Sequence, residues 1–403
     1  MIVSWQDQAE IIDIKDEKMA QKLMEQIGVD EYGIKLMLPK AFNYSIKLKD
    51  VPSKAANILK QEILARGGEA AMAAGVADWS IDKTDVLLFG TKRQLEILSE
   101  KLHKQGFGLG KLATTIKASL SKWEMEGYRE IKCQRGNSLL LGKRTYVMGI
   151  VNVTPDSFSD GGLYYDAGAA VEHAHKLVAE GADIIDVGGE STRPGHVPVE
   201  AEEEWRRLES VLKRLVNEIK VPISVDTYKA DIALRALDLG VDIINDVWGC
   251  RADKKMADVC AKYNCPIIIM HNQNNTCYND LMFDILTFLR ESIELAENSG
   301  VAPDQIIIDP GIGFGKDLEQ NLEVMSRLKE LKVLGKPVLL GTSRKSFIGK
   351  TLNLDTVERV EGTAATVALG ISQGVDIVRV HDVKEMVRVS RMTDAIVRRS
   401  FDN

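Results

Sequence analysis

Residues 146–162, YVMGIVNVTPDSFSDGG, decide how the rest of the chain is read. The first half is a short apolar run carrying the β-branched Val147, Ile150, Val151 and Val153, the composition of a buried strand. The run breaks at Asn152, and Thr154, Pro155, Asp156, Ser157, Ser159 and Asp160 follow as a polar loop. Gly161 and Gly162 let that loop bend before the next helix. A buried strand that stops at an amide and opens into hydroxyls and carboxylates is what a β/α barrel needs at its catalytic rim.

Working outward, the pattern repeats. Strands are expected at 146–153, 184–189, 223–227, 243–247, 267–271, 306–310, 338–343 and 377–381, with amphipathic helices such as 167–180, 201–219, 281–299 and 318–331 between them. Eight such units over this length predict a TIM (β/α)8 barrel, an α/β fold, spanning 140–403. An open doubly wound sheet would have fewer strands and a glycine-rich first turn, which is missing. Nearly every strand is apolar until its end, where a functional group stands: Asn152, Glu190, Asp226, Asn245, His271, Asp309, Ser343, and Arg379 with His381. Taken singly, half of these would be turn or cap residues. A parallel barrel brings all eight to one face.

Residues 1–135 read differently. A strand at 42–51, a helix at 53–66 capped by Ser53, strands at 69–78 and 85–90, and a helix from a Thr91 cap to 105 give the order β-α-β-β-α. That order suggests a small α+β domain of ferredoxin-like type, structural, oligomerising or regulatory in role. GFGLG at 106–110 follows a helix rather than a strand, so it reads as a helix stop and not as a dinucleotide loop.

The bulk properties exclude several classes. A net charge of -7 spread along 403 residues argues against a nucleic-acid-binding face. The acidic N-terminus has no apolar segment fit for a signal peptide, and no run approaches bilayer length, so a cytoplasmic protein is expected. Cys133, Cys250, Cys260, Cys265 and Cys277 form no C-x-x-C pair and read as reduced thiols.

Seven motifs then appear in order: NVTPDSFSDGG (152–162), GGESTRPG (188–195), VDT (225–227), IND (244–246), DPGIGFGK (309–316), GTSRKSF (341–347) and RVHDV (379–383). Together they resemble the dihydropteroate synthase family over roughly residues 140–400. The resemblance implies condensation of hydroxymethyl-dihydropterin pyrophosphate with p-aminobenzoate, with pyrophosphate leaving first, and it implies a homodimer.

The residue types suit that chemistry. Asp309 can accept two parallel N–H donors from a pterin ring, while Asp226 and Asn245 can read the remaining edge and Met270 can pack on its face. The loops after strands seven and eight carry Ser343, Arg344, Lys345, Ser346, Arg379 and His381, a basic cluster suited to an anion. The resemblance assigns pyrophosphate to Arg379, His381, Asn152 and Thr192, with Asn152 also meeting Mg²⁺, an ion that usually takes few protein ligands beside phosphate oxygens. It assigns Lys345 to the pterin and the aminobenzoate pocket. Ser346 opens a helix and suits a carboxylate, with Phe314, Pro194, Arg193 and Gly341 around the same pockets. Asp160 and Phe158 are expected to face and cover the pterin cation. No protein nucleophile is called for, and none of the motifs pairs a serine or cysteine with a histidine.

GIGFGK lacks the spacing of a nucleotide P-loop. His173 and His175 point apart on a helix, and His271 reads as structural. One stretch departs from the family: after Met270-His271 the chain runs NQNNTC (272–277), so contacts from that loop do not carry over. The rival reading is a methyltetrahydrofolate–corrinoid methyltransferase barrel, which shares pterin-reading carboxylates but has no use for a pyrophosphate pocket.

Overall fold

The computed structural model describes residues 10–14, 16–125, 127, 129–153, 167–190 and 198–398. The chain divides after Glu124 into two compact units.

In the first unit, strands β1 (Asn43–Pro52), β2 (Glu69–Met72) and β3 (Lys83–Thr91) form a sheet of order β1-β3-β2 with β3 antiparallel to both neighbours. Helices Ser53–Leu64, Lys92–Leu102 and Leu109–Trp123 cover one face around Leu59, Ile63, Leu88, Leu95 and Ile116. Alternation builds this sheet: Thr84, Val86 and Leu88 of β3 are buried while Asp85, Leu87 and Phe89 face outward. The order β-α-β-β-α holds through residue 102, but the fourth strand of a ferredoxin-like sheet is replaced in the chain by helix Leu109–Trp123. GFGLG is therefore a turn between two helices, with Phe107 and Gly108 at φ 59° and 81°. The strand expected over 69–78 stops at Met72, because the alanine-rich remainder coils into a short 3-10 turn at Ala74–Val76. Ser53 is not a cap; its hydroxyl donates to the Ile81 carbonyl at 2.6 Å. Thr91 is one, in a reciprocal capping box with Gln94.

The second unit is a parallel barrel of β6 (Tyr146–Asn152), β7 (Ile184–Gly188), β8 (Ile223–Asp226), β9 (Ile243–Asp246), β10 (Ile267–Met270), β11 (Ile306–Asp309), β12 (Leu339–Leu340) and β13 (Ile377–Val380). Seven adjacent pairs are hydrogen-bonded ladders, and a single bridge between Ile308 and Val338 closes the ring between β11 and β12. Strand side chains alternate in direction, so the barrel sorts them by parity. Val147, Ile185, Val225, Ile244, Ile269, Ile308 and Val378 join the helices in the large outer core. Met148, Ile184, Ile243, Ile268, Ile307, Leu339 and Ile377 form a separate inner cluster.

That inner cluster is completed by a hairpin the sequence reading did not foresee. Strands β4 (Arg129–Lys132) and β5 (Ser138–Leu141) pair antiparallel and place Ile131, Leu139 and Leu141 beneath the starts of the barrel strands. The turn of the hairpin is latched by Arg135. Its Nε donates to Asp242 at 2.8 Å, and its other nitrogens reach the carbonyls of Val216, Ile219 and Val221 at 3.1, 2.7 and 2.6 Å. The hairpin lies across residues 135–140, where the sequence suggested a boundary, and belongs to the second unit. Among the described residues no helix is long and apolar enough to cross a membrane.

Candidate active site

The inner parity continues upward from the apolar floor. Two residues beyond each floor residue stand Ile150, Asp186, Asn245, Met270, Asp309, Gly341 and Arg379, joined by Asp226 from β8. All are buried except Arg379, which is partly so. A layer of charge therefore rests directly on a layer of isoleucine.

Arg379 organises one half of it. Its Nε donates to Asp186 Oδ2 at 2.6 Å and its Nη2 to Asp226 Oδ2 at 2.7 Å. Asn245 Nδ2 donates to the same Asp186 oxygen at 3.2 Å. The second oxygens of Asp186 and Asp226 are buried and, among the described residues, lack a protein donor. Buried acceptors left open in this way are costly unless something else supplies the donors. Burial, with Asp186 close by, pushes the Asp226 carboxyl up to about 7 against the pull of Arg379. Burial pulls the Arg379 guanidinium down, but the Asp186 and Asp226 carboxylates together keep it above its ordinary value.

Asp309 and Lys345 make the other half. Asp309 Oδ1 accepts from the Gly311 N–H at 2.7 Å, and burial raises its pKa. Lys345 Nζ bonds the Ile312 carbonyl and stands 4.6 Å above the Phe314 ring. Burial lowers its pKa to about 8, with Asp309 opposing the shift. A Cβ at Gly341 would lie 3.9 Å from both Arg379 Cβ and Lys345 Nζ, so the glycine leaves the room between the two cations open. Ser343 Oγ accepts from the His381 backbone N–H at 3.1 Å and meets His381 Nδ1 at 3.0 Å, which fixes that ring.

The sequence-based set thus converges in part. Asn152, Asp226, Asn245, Met270, Asp309, Phe314, Gly341, Ser343, Lys345, Arg379 and His381 stand at the ends of the barrel strands or in the loops directly after them, with Ser346 exposed at the start of helix Ser346–Leu352. Phe158, Asp160, Thr192, Arg193 and Pro194 lie outside the described residues. Two expectations need correction. Arg344, at φ 55°, turns away from the cluster to pair with Asp382, its Nε at 2.9 Å. Glu190 is bound to Lys229 at 2.5 Å in a buried pair that also holds Glu204, so its carboxylate is spent on the fold. Of the IND motif, Asp246 is a turn residue that accepts from the N–H groups of Trp248 and Cys250. One member escaped the sequence reading altogether: Asp186 sits in mid-strand, and only its inner parity with Gly188 marks it as facing the site.

His271 is structural, as expected: it packs edge-on against Phe288 at 4.8 Å between centroids and meets Lys316 at 3.0 Å. The divergent loop after it is held down by its neighbours. Tyr278 Oη donates to the Gly315 carbonyl at 2.7 Å, and Gln320 Nε2 donates to that of Thr276 at 2.8 Å.

The chain is similar to several known proteins. The pterin binding enzyme family profile matches residues 148–381. A dihydropteroate synthase of Clostridium beijerinckii is 55% identical over 260 residues, covering 64% of this chain and 97% of that protein. A dihydropteroate synthase structure from Clostridium difficile, determined in the presence of pteroic acid, superposes with a TM-score of 0.63 at 59% identity, covering 64% of this chain and 99% of that one. A probable bifunctional folylpolyglutamate synthase/dihydropteroate synthase of Halobacterium salinarum is 38% identical over 383 residues. It covers 93% of this chain, reaching into the first unit, and 46% of that protein. The barrel, its charged inner layer and these relatives agree, and the chain belongs to the dihydropteroate synthases of folate biosynthesis.

Proposed function

We propose that the charged inner layer is the apparatus with which this dihydropteroate synthase joins hydroxymethyl-dihydropterin pyrophosphate to p-aminobenzoate. The observation that carries the reading is the set of acceptors on Asp186 and Asp226 that lack protein donors among the described residues, beside the buried Asp309. A pterin ring edge is rich in N–H groups and supplies what these carboxylates lack. Asp309 takes the amino group and adjacent ring N–H, Asp226 and Asn245 take the far edge, and Met270 forms the floor. Asp186 holds Asn245 and Arg379 in register.

Arg379 gives two nitrogens to carboxylates, and among the described residues its Nη1 has no partner, so the two N–H donors of that nitrogen remain for pyrophosphate oxygens. His381, Asn152 and Thr192 complete that subsite. Departure of pyrophosphate first leaves a cation at the exocyclic methylene, which the carboxylates, Asp160 and Phe158 stabilise and shield. The aminobenzoate amine then attacks and loses its proton. Its carboxylate meets Ser346, and its ring lies between Phe314, Arg193 and Pro194, with Lys345 bridging the two substrates.

The donor set fits Mg²⁺ in one manner only. Among the described residues no three carboxylate, histidine or cysteine side chains gather as a cage, and Asn152 offers a single neutral oxygen, so substrate oxygens and water would provide the rest of the shell. Bound there, the ion would neutralise charge on the leaving pyrophosphate. We assign the enzyme to the cytoplasm, and as a homodimer, a state that light scattering of the purified protein checks.

The test is pyrophosphate release from the pterin substrate with Mg²⁺, with and without p-aminobenzoate, beside Lys345→Ala. Release coupled to dihydropteroate formation and lost in the variant is expected. Tight pterin binding with no pyrophosphate released would overturn the assignment.

A further inference from the structure

Lys316 ends the DPGIGFGK segment, and the reaction as described gives it no task. Its side chain is buried, and Nζ lies 2.9 Å from the Gly311 carbonyl, 3.1 Å from the Phe314 carbonyl and 3.0 Å from His271 Nδ1. An ammonium has three N–H donors, and here each meets one acceptor. The third acceptor requires an unprotonated Nδ1, and burial beside Lys316 does hold the imidazole neutral, with its pKa lowered to about 2.

The tripod folds the loop onto itself. Gly311, Gly313 and Gly315 stand at φ 68°, 84° and 55°, and a Cβ on Gly311 would come within 1.9 Å of the His271 carbonyl oxygen. A loop with so much glycine is loose unless something closes it. From the tripod one bond leads to each substrate. Gly311, whose carbonyl Lys316 holds, donates its N–H to Asp309 Oδ1 at 2.7 Å. Phe314, whose carbonyl it also holds, presents its ring to Lys345.

A lysine used only for stability would be poorly chosen. Burial pulls its pKa down to about 7, so sequestering its charge is costly. What the three bonds fix is the separation of Asp309 from Phe314.

We propose that Lys316 is a positioning residue that sets the pterin-reading carboxylate and the aminobenzoate wall at one spacing, without touching either substrate. The inference rests on the substrate assignments proposed above. Lys316→Met is expected to unfold cooperatively with a melting temperature close to that of the parent. Its kcat/KM for p-aminobenzoate should fall about 100-fold, the cost of roughly an ångström of misplacement, with a raised KM for both substrates. Lys316→Gln, which keeps two donors, should recover part of the loss. Parent-like kcat and KM values in either folded variant overturn the proposal. So does failure of both to fold, since Lys316 would then hold the fold and not the site. Asp309→Asn measured alongside separates the two levels: parent-like kinetics there would sink the substrate assignment itself, whereas an inactive Asp309→Asn beside a parent-like Lys316→Met sinks only the role of Lys316.

Discussion

The two ends of the same eight strands contrast sharply. At the floor, Met148, Ile184, Ile243, Ile268, Ile307, Leu339 and Ile377 pack on Ile131, Leu139 and Leu141 of the hairpin. At the rim, two residues further along the same inner parity, Asp186, Asn245 and Asp309 are nearly as buried, and Arg379 partly so, yet they carry charge or amide. The floor satisfies itself. The rim holds oxygens with no partner among the described residues, a place that a fold selected for stability alone would fill with carbon.

That contrast can be tested from both ends. The largest effect is expected at Arg379. Arg379→Met leaves Asp186 and Asp226 as two buried carboxylates with no cation between them and should lower kcat/KM by about 10³-fold. Activity retained within about tenfold would mean that the guanidinium serves the fold only.

At the floor the effects should fall on stability and spare turnover. Arg135→Ala strands the fully buried Asp242 and should cost about 3 kcal/mol in urea unfolding, with kcat unchanged. Leu139→Ala opens a cavity under the barrel and should cost about 2 to 3 kcal/mol, again without change in kcat. Loss of turnover in either variant at full folding would break the division between floor and rim.

The smallest effect is a pH dependence. The folded-state pKa of Asp226 stands above the ordinary 3.8, at about 7, so its carboxyl favours the fold below 3.8 and that contribution is lost as pH rises through about 7. In Asp226→Asn the titration is gone. The melting temperature of the variant relative to the parent should therefore climb across that window. A flat difference would show that the Arg379 pair outweighs burial.

The barrel was legible because its strands are short, apolar and evenly spaced, each ending in a conspicuous polar residue. The end residue was a rougher guide than the parity behind it. Glu190 ends a strand and belongs to a buried ion pair, whereas Asp186, in mid-strand, reaches the site. Arg344 stands in the basic cluster by sequence, but a left-handed backbone turns it to Asp382. In the first unit the alanines after Met72 give no periodic signal, and helix Leu109–Trp123 was hidden behind glycines that read as an end and served as a turn. The floor hairpin was missed because its partners lie in remote strands, and no local pattern announces them.

The latch of that hairpin also sets an order of events during synthesis. Arg135 and Asp242 are 107 residues apart, so at ribosomal speed the plug emerges roughly 5 to 20 seconds before the carboxylate that fixes it. A two-stranded hairpin alone in water is marginal at best. Ile131, Leu139 and Leu141 must therefore wait exposed on the nascent chain until the barrel strands arrive, which makes this segment a natural target for a chaperone. It also means that a gene trimmed to begin at residue 140 would encode a barrel with half its stopper missing.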